Sequence, residues 1–253
     1  MRLVCVDIGN TSATLGLYED GEVSRITRVD GGIRNNPEAC SDMLRLIASE
    51  SVQGVSIASV VPEVNHKWKS LVRDTLGCTP RFVSCESPLG FTLDYPNPER
   101  IGADRLADAA GGLARYGAPL IVVDFGTALN FEVLDERPAY IGGVITPGLP
   151  LMTRYLHEKT ALLPEVKLGT SDPVPAIGKS TAEAIALGAR VGYRGIVREL
   201  VNHLQQPFGG KAQVVATGGF SGWVLDGSDL DITIDRSLTL FGLGVIFENG
   251  GAD

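Results

Sequence analysis

"VCVDIGNTSATLGLY", residues 4–18, interrupts an apolar run with an acid, a glycine, an asparagine and hydroxyl residues. Val4, Val6 and Ile8 belong in a buried strand, Asp7 stands within it, and Gly9-Asn10-Thr11 forms a turn. The pattern returns further along the chain. "LVCVDIGNTSATLGLY" begins at Leu3 and "LIVVDFGTALNFEVLD" at Leu120. Each is an apolar strand delivering Asp-x-Gly, then threonine, then a second strand-like run. The acids are Asp7 and Asp124, and Asn10 is one extra residue in the first copy. Duplication accounts for the shared strand, turn and returning strand. Two such halves facing each other make a cleft lined by two hairpins, each supplying an acid and a hydroxyl. Glycine lets backbone N–H groups approach phosphate oxygens, threonine adds a donor, and the carboxylates hold the neutralising cation. Simple hairpin turns would also carry Asp-x-Gly.

Composition narrows the function classes. The chain has 253 residues, 44% hydrophobic and 21% charged, with a formal net charge of −8. That length allows two subdomains. The acidic balance gives no footprint for nucleic acid or an anionic membrane surface. No apolar stretch approaches the roughly 20 residues of a membrane span. The N-terminus runs directly into the Asp7 strand, so no signal peptide is expected, and the location is expected to be cytoplasmic. Cys5, Cys40, Cys78 and Cys85 lack C-x-x-C spacing and read as reduced thiols. His66, His157 and His203 share no metal-ligand spacing.

Strand signals fall at 2–8, 12–19, 55–61, 81–84, 119–124, 129–135, 140–145 and 213–217. Helical periodicity falls near 37–50, 65–76, 101–116, 148–157, 181–206 and 238–248. Their alternation predicts an α/β architecture. A cut between residues 116 and 117 separates the two expected subdomains, 1–116 and 117–253. The stretches 86–100 and 163–178 read as functional loops. "YIGGVITPGLPL" (140–151) predicts strand, turn and helix start, and "VVATGGF" (214–220) a strand with a tight double-glycine turn.

Two motifs mislead. "IGKST" (177–181) resembles a P-loop end, but position 173, where Walker A needs glycine, is Pro173. Ser180 and Glu183 form a capping box instead, leaving Thr181 in the first turn of a helix. "DFG" (124–126) lacks the glycine-rich and H-R-D loops of protein kinases. The remaining charged cluster is "YPNPERIGADRLADAAGG" (95–112), with Asn97-Pro98 as a helix start and Ile101, Leu106, Ala110 and Leu113 as an apolar stripe. Asp104 there can accept a proton from a substrate hydroxyl and Arg105 can hold an anion, unless Asp104 only complements the helix dipole.

Taken in order, these motifs resemble the type III pantothenate kinases of the acetate and sugar kinase, Hsc70 and actin superfamily. "DIGNT" (7–11), "YPNPERIGADR" (95–105), "VVDFGTA" (122–128), "GGVITPG" (142–148), "IGKSTAEAIALG" (177–188) and "ATGG" (216–219) carry the resemblance, which covers nearly the whole chain. It implies a duplicated ribonuclease H-like (actin-like ATPase) fold, with two similar subdomains around a nucleotide cleft. It implies ATP contacts from Asp7, Ile8, Gly9, Asn10, Thr11, Ser12, Ala13 and Thr14, and from Thr127. It implies pantothenate contacts from Tyr95, Gly102, Ala103, Asp104, Arg105 and Thr181, with Asp104 as the catalytic base. Asp124 matches the ligand of a monovalent cation, potassium or ammonium, and Asp7 would hold Mg²⁺, directly or through water. Family members are dimers whose substrate pocket is completed by the partner subunit. Gly188, Gly192 and Gly195 recur at helical spacing, compatible with close packing.

The implied reaction is ATP-dependent phosphorylation of pantothenate to 4′-phosphopantothenate, the first step towards coenzyme A. Leu129, Asn130 and Glu132 depart from the family's usual two threonines and aspartate, which alters the grip expected of the second hairpin. Two other readings stand beside the kinase: a sugar or short-acid kinase of the same superfamily, and a nucleotide-binding regulatory protein without turnover.

Overall fold

The computed structural model describes residues 1–30, 40–48, 51–169 and 175–251. In order, the elements are β1 (Arg2–Ile8), β2 (Ser12–Glu19), β3 (Glu22–Asp30), α1 (Ser41–Ile47), β4 (Gly54–Ser59), α2 (Asn65–Leu76), β5 (Arg81–Phe82), β6 (Thr92–Leu93) and α3 (Ala103–Tyr116). Then come β7 (Leu120–Phe125), β8 (Ala128–Leu134), β9 (Ala139–Pro147), α4 (Leu149–Glu158), α5 (Thr181–Leu187), α6 (Tyr193–Gln205), β10 (Gln213–Thr217), α7 (Ser221–Leu225), β11 (Thr233–Ile234) and α8 (Leu238–Asn249). Of the helix expected at 37–50, residues 37–39 and 49–50 lie outside the described residues, as do 170–174 of the expected 163–178 loop, Pro173 among them.

The chain forms two compact units. One comprises Met1–Gly117, Leu134–Ile141 and Ser237–Asp253, the other Ala118–Val133 and Gly142–Arg236. The C-terminal helix groups with the first unit, and packing explains why. α8 is buried on several sides through Leu238, Leu240, Leu243 and Ile246, so it needs cover all round. It obtains that cover inside the first unit, where Gly242 lies so close to α3 that a Cβ would stand 1.9 Å from the Ala107 carbonyl oxygen. Thr239 Oγ1 donates to the buried Asp108 Oδ1 at 2.6 Å, and the Arg115 guanidinium sits 3.7 Å over the Phe241 ring.

In the first unit the sheet order is β3-β2-β1-β4-β5. β1 and β2 are antiparallel, with Asp7 opposite Thr14, and β4 runs parallel to β1. Side chains alternate between the faces. Val4, Val6, Ile8, Leu15 and Leu17 join Leu44, Trp68 and Val72 in one core. Gly16, Tyr18 and Gly54 face the other way and meet Leu240, α8 at Gly244, and Phe247. Asp7 shares this second face. The second sheet has six strands in the order β6-β9-β8-β7-β10-β11, with β6 parallel to β9, β10 parallel to β7 and β11 parallel to β10. Apart from the added edge strand β6, the second sheet repeats the order of the first, so the repeat seen in sequence is a repeat of topology. β3, β6, α7 and β11 were not anticipated. β6 and β11 have two residues each, and β3 exposes most of its side chains, so none carries a strong periodic signal.

Alanine would ordinarily raise helix stability over glycine by about 0.5–1 kcal/mol. At Gly242 the clash with Ala107 reverses the sign, so Gly242→Ala is expected to destabilise the protein by about 1–3 kcal/mol. Urea unfolding of the two proteins measures it, and an unchanged or higher midpoint would count against this packing.

Candidate active site

The first hairpin presents its polar groups at one end of the sheet. Gly9 N–H donates to the Ser12 carbonyl at 2.9 Å and closes the turn, with Asn10 and Thr11 exposed at its tip. Ile8 and Ala13 are buried in the core, so of the eight hairpin residues these two can offer a ligand only backbone. Asp7 and Thr14 are half-buried, directly opposite each other, on the face that carries α3 and α8. Burial pushes the Asp7 carboxyl up to about 7, the Asp104 charge adds to the rise, and the Arg28 guanidinium opposes it.

Asp104 opens α3. Asn97-Pro98 does not start this helix as expected; Pro98–Arg100 form a separate 3₁₀ turn, and α3 begins at Ala103 with Gly102 as its N-cap. Asp104 Oδ1 accepts from the Arg105 N–H at 2.8 Å and folds back over Gly102, where a Cβ would stand only 2.4 Å away. A side chain at 102 would therefore displace the Asp104 carboxylate from this position. Burial raises the Asp104 pKa, while the Arg105 N–H and the Arg105 charge hold it down. Asp7 and Asp104 are thus two desolvated carboxylates close enough to repel each other.

Arg105 and Tyr95 meet around a residue that sequence reasoning passed over. Tyr140 is fully buried; Tyr95 packs edge-on to it at 6.0 Å between centroids, Phe91 stacks at 6.3 Å, and the Arg105 guanidinium lies 5.9 Å over its ring. The pairing of Leu93 with Tyr140 aligns these segments. An aromatic residue at the head of the glycine-rich 140–151 stretch was the available signal. At the start of α3 a cavity of about 500 Å³ opens along Ser59, Val60, Cys85, Glu99, Gly102 and Ala103.

In the second unit Asp124 lies at the end of β7. A Cβ on Gly218 would come 2.4 Å from Asp124 Oδ1, and one on Gly126 would come 3.1 Å from Oδ2, so two glycines make room for the carboxylate. Gly218 has φ +85°, which glycine adopts without strain. Gly148 N–H donates to the Thr127 carbonyl at 3.1 Å. Leu129 and Phe131 enter the core, which turns Asn130 and Glu132 to the face that Asp124 occupies. Both are buried, and Asn130 Oδ1 has no hydrogen-bond partner among the described residues. Thr181 is exposed at the start of α5, where Ser180 Oγ accepts from Glu183 N–H at 3.2 Å. Glu183 reaches back to the Lys179 N–H at 2.7 Å, one residue before the expected box partner. Among the described residues no cluster of three or more His, Cys, Asp or Glu forms a metal cage, the four cysteines are free, and no helix is long and apolar enough to cross a membrane.

The model of the type III pantothenate kinase family matches residues 3–203. The chain belongs to that family. A type III pantothenate kinase from Akkermansia muciniphila is 42% identical over 200 residues, 79% of this chain and 80% of the relative. Among solved structures, a conserved putative Baf family transcriptional activator from Campylobacter jejuni aligns with TM-score 0.62 at 17% identity, over 98% of each chain. A ROK family glucokinase from Streptomyces griseus, in complex with glucose and AMPPNP, aligns with TM-score 0.53 at 15% identity, over 96% of this chain and 98% of its own. These likenesses show the fold, that of the actin-like ATPases and sugar kinases implied by the family resemblance.

A carboxyl pKa raised in the folded state means that the folded protein binds the proton more tightly. Between the ordinary carboxylate range and pH 7, Asp7 therefore lowers stability as pH rises, and its penalty is complete above pH 7. Asp7→Asn is expected to stabilise the ligand-free protein at pH 8 by on the order of 4 kcal/mol, and by less than half of that at pH 5. Denaturant unfolding at the two pH values checks this; equal effects at both would contradict the assignment.

Proposed function

We propose that this chain transfers the γ-phosphoryl group of ATP to the primary hydroxyl of pantothenate, forming 4′-phosphopantothenate. The observation that carries the reading is the pairing of Asp104 with Asp7 on one sheet face, beside the Arg105–Tyr95–Tyr140 cluster, in a chain of this family. Phosphoryl transfer requires positioning and charge neutralisation more than covalent help. The Gly9–Ser12 turn offers backbone N–H groups to the phosphates, and Thr14 offers a hydroxyl.

Asp104 is the base. Burial raises its affinity for a proton, and the Arg105 N–H and charge at the start of α3 oppose that rise. It takes the hydroxyl proton as the oxygen attacks phosphorus, then releases that proton to water. Arg105 pairs with the pantothenate carboxylate, held by its stacking on Tyr140. Tyr95, Gly102 and Ala103 line the substrate's path, and the adjoining cavity is large enough for a small acid amide.

The residues suit the ions that the reading needs. Asp7 is destabilised as an anion, and a bound Mg²⁺ at that carboxylate would relieve it and neutralise the phosphates. Asp124, with the orphaned Asn130 Oδ1 on the same face, supplies oxygen ligands for potassium or ammonium. Asn130 and Glu132 thereby replace the family's usual threonine and aspartate with other oxygen donors.

The reading extends to a homodimer and to the cytoplasm. Cβ atoms on Gly188, Gly192 and Gly195 would meet nothing within 4 Å. Val191 among them is 53% exposed and Ile177 is 75% exposed. A second copy packed there would bring cover to this surface and would stand beside Thr181.

Asp104→Asn should lower kcat by about 10²–10⁴ while leaving the fold and ATP affinity intact. Turnover assays with thermal unfolding test it, and near-normal turnover would refute the base. Gly192→Arg should shift the protein to monomers in sedimentation and raise KM for pantothenate. A dimer that persists unchanged would place the contact elsewhere.

A further inference from the structure

β3 carries a feature that the reaction described so far does not use. Its pairing with β2 shifts by one residue: Leu17 faces Ser24, but Leu15 faces Thr27, so Arg25 and Ile26 together oppose Gly16. This is a β-bulge, and Arg25 within it has φ +51°, a conformation unusual for a residue other than glycine. The Arg25 guanidinium secures it, donating to the Leu46 and Ile47 carbonyls at the end of α1 at 3.3 and 3.2 Å.

The bulge decides which way the end of β3 faces. A one-residue register shift moves every side chain beyond it to the opposite face. Without the bulge, Thr27 would stand opposite Thr14. With it, Arg28 does. Because Thr14 is opposite Asp7, one row across three strands reads Asp7, Thr14, Arg28, with all three side chains on the face of α3 and Asp104. The row spans two strand spacings, about 10 Å. Arg28 is 50% exposed, and its Nε donates to Asp30 Oδ1 at 2.8 Å, with Asp30 77% exposed. A solvent-screened pair of this kind is worth little, so it does not hold the guanidinium against a stronger acceptor. The electrostatic effect of Arg28 on the Asp7 carboxyl is consistent with this placement.

We infer that Arg28 is a phosphate-contacting residue of the nucleotide site, placed on the hairpin's ligand face by the β3 bulge; the inference rests on the ATP reading above. A guanidinium offers a planar fork of donors suited to phosphate oxygens. Bound phosphates would stand between the hydroxyl of Thr14 and this fork, while Asp7 serves the accompanying cation.

The test is titration calorimetry of the full chain with a non-hydrolysable ATP analogue and Mg²⁺, and separately with adenosine. Arg28→Ala should weaken the analogue about 10- to 100-fold and leave adenosine affinity and the KM for pantothenate within twofold. Arg28→Lys should recover part of the loss. The double variant Thr27→Arg/Arg28→Thr keeps the charge but turns the guanidinium to the core face, and it should not recover. Analogue affinity within twofold of the parent in Arg28→Ala, or full affinity in the double variant, overturns the inference. Should Arg28→Ala fail to unfold cooperatively, Arg28→Lys decides: affinity equal to the parent's overturns the fork and a partial loss supports it. Weakened analogue binding in a protein that never phosphorylates pantothenate would overturn the pantothenate reading and leave Arg28 in place.

Discussion

Two carboxylates withdrawn from water at the same end of one sheet face set the terms for the first unit. Asp7 and Asp104 both have raised pKa values, chiefly through burial, and the charge of Asp104 adds to the rise at Asp7. Such an arrangement is unfavourable in the empty protein and persists because the surrounding fold over-determines it. β1 is fixed between β2 and β4, and α3 is locked by α8 through Gly242 and Asp108. On the kinase reading proposed above, Asp7 takes the metal ion and Asp104 the proton.

The second unit repeats the sheet but not the chemistry. Its hairpin keeps Asp124 at the same strand position, with glycines at 126 and 218 clearing the space around the carboxylate. It has no counterpart to the Asp104 helix start among the described residues. Asn130 and Glu132 keep oxygen atoms on the Asp124 face, so the departures from the family's usual residues preserve donor capacity while changing its geometry. Duplication followed by divergence gives two units with a shared strand order and different polar groups around their hairpins.

Much of this was legible in the chain. The repeated Asp-x-Gly hairpins located β1, β2, β7 and β8 within a residue, because apolar alternation and turn residues agree there. The Ser180–Glu183 cap was legible for the same local reason. What escaped was set by tertiary contact. Asn97-Pro98 starts only a 3₁₀ turn, because Ile101 and Gly102 are extended and break the chain before α3 begins at Ala103. α8 joined the first unit because its close approach to α3 is invisible in its own sequence. Tyr140 gained a role only from the pairing of β6 with β9, and Arg28 only from a bulge that reverses the face of β3. Registers and bulges depend on partner strands, and no local pattern in β3 announces them.

The central claim is that the Asp7–Asp104 pair serves transfer of phosphate from ATP to pantothenate. Its most direct measurement is ADP release by the purified protein with and without pantothenate, at varied potassium, with the phosphorylated product quantified in parallel. The account predicts ADP release that depends on pantothenate, matches product one to one and increases with potassium. ATP binding without turnover, or faster phosphorylation of a sugar than of pantothenate, would contradict it.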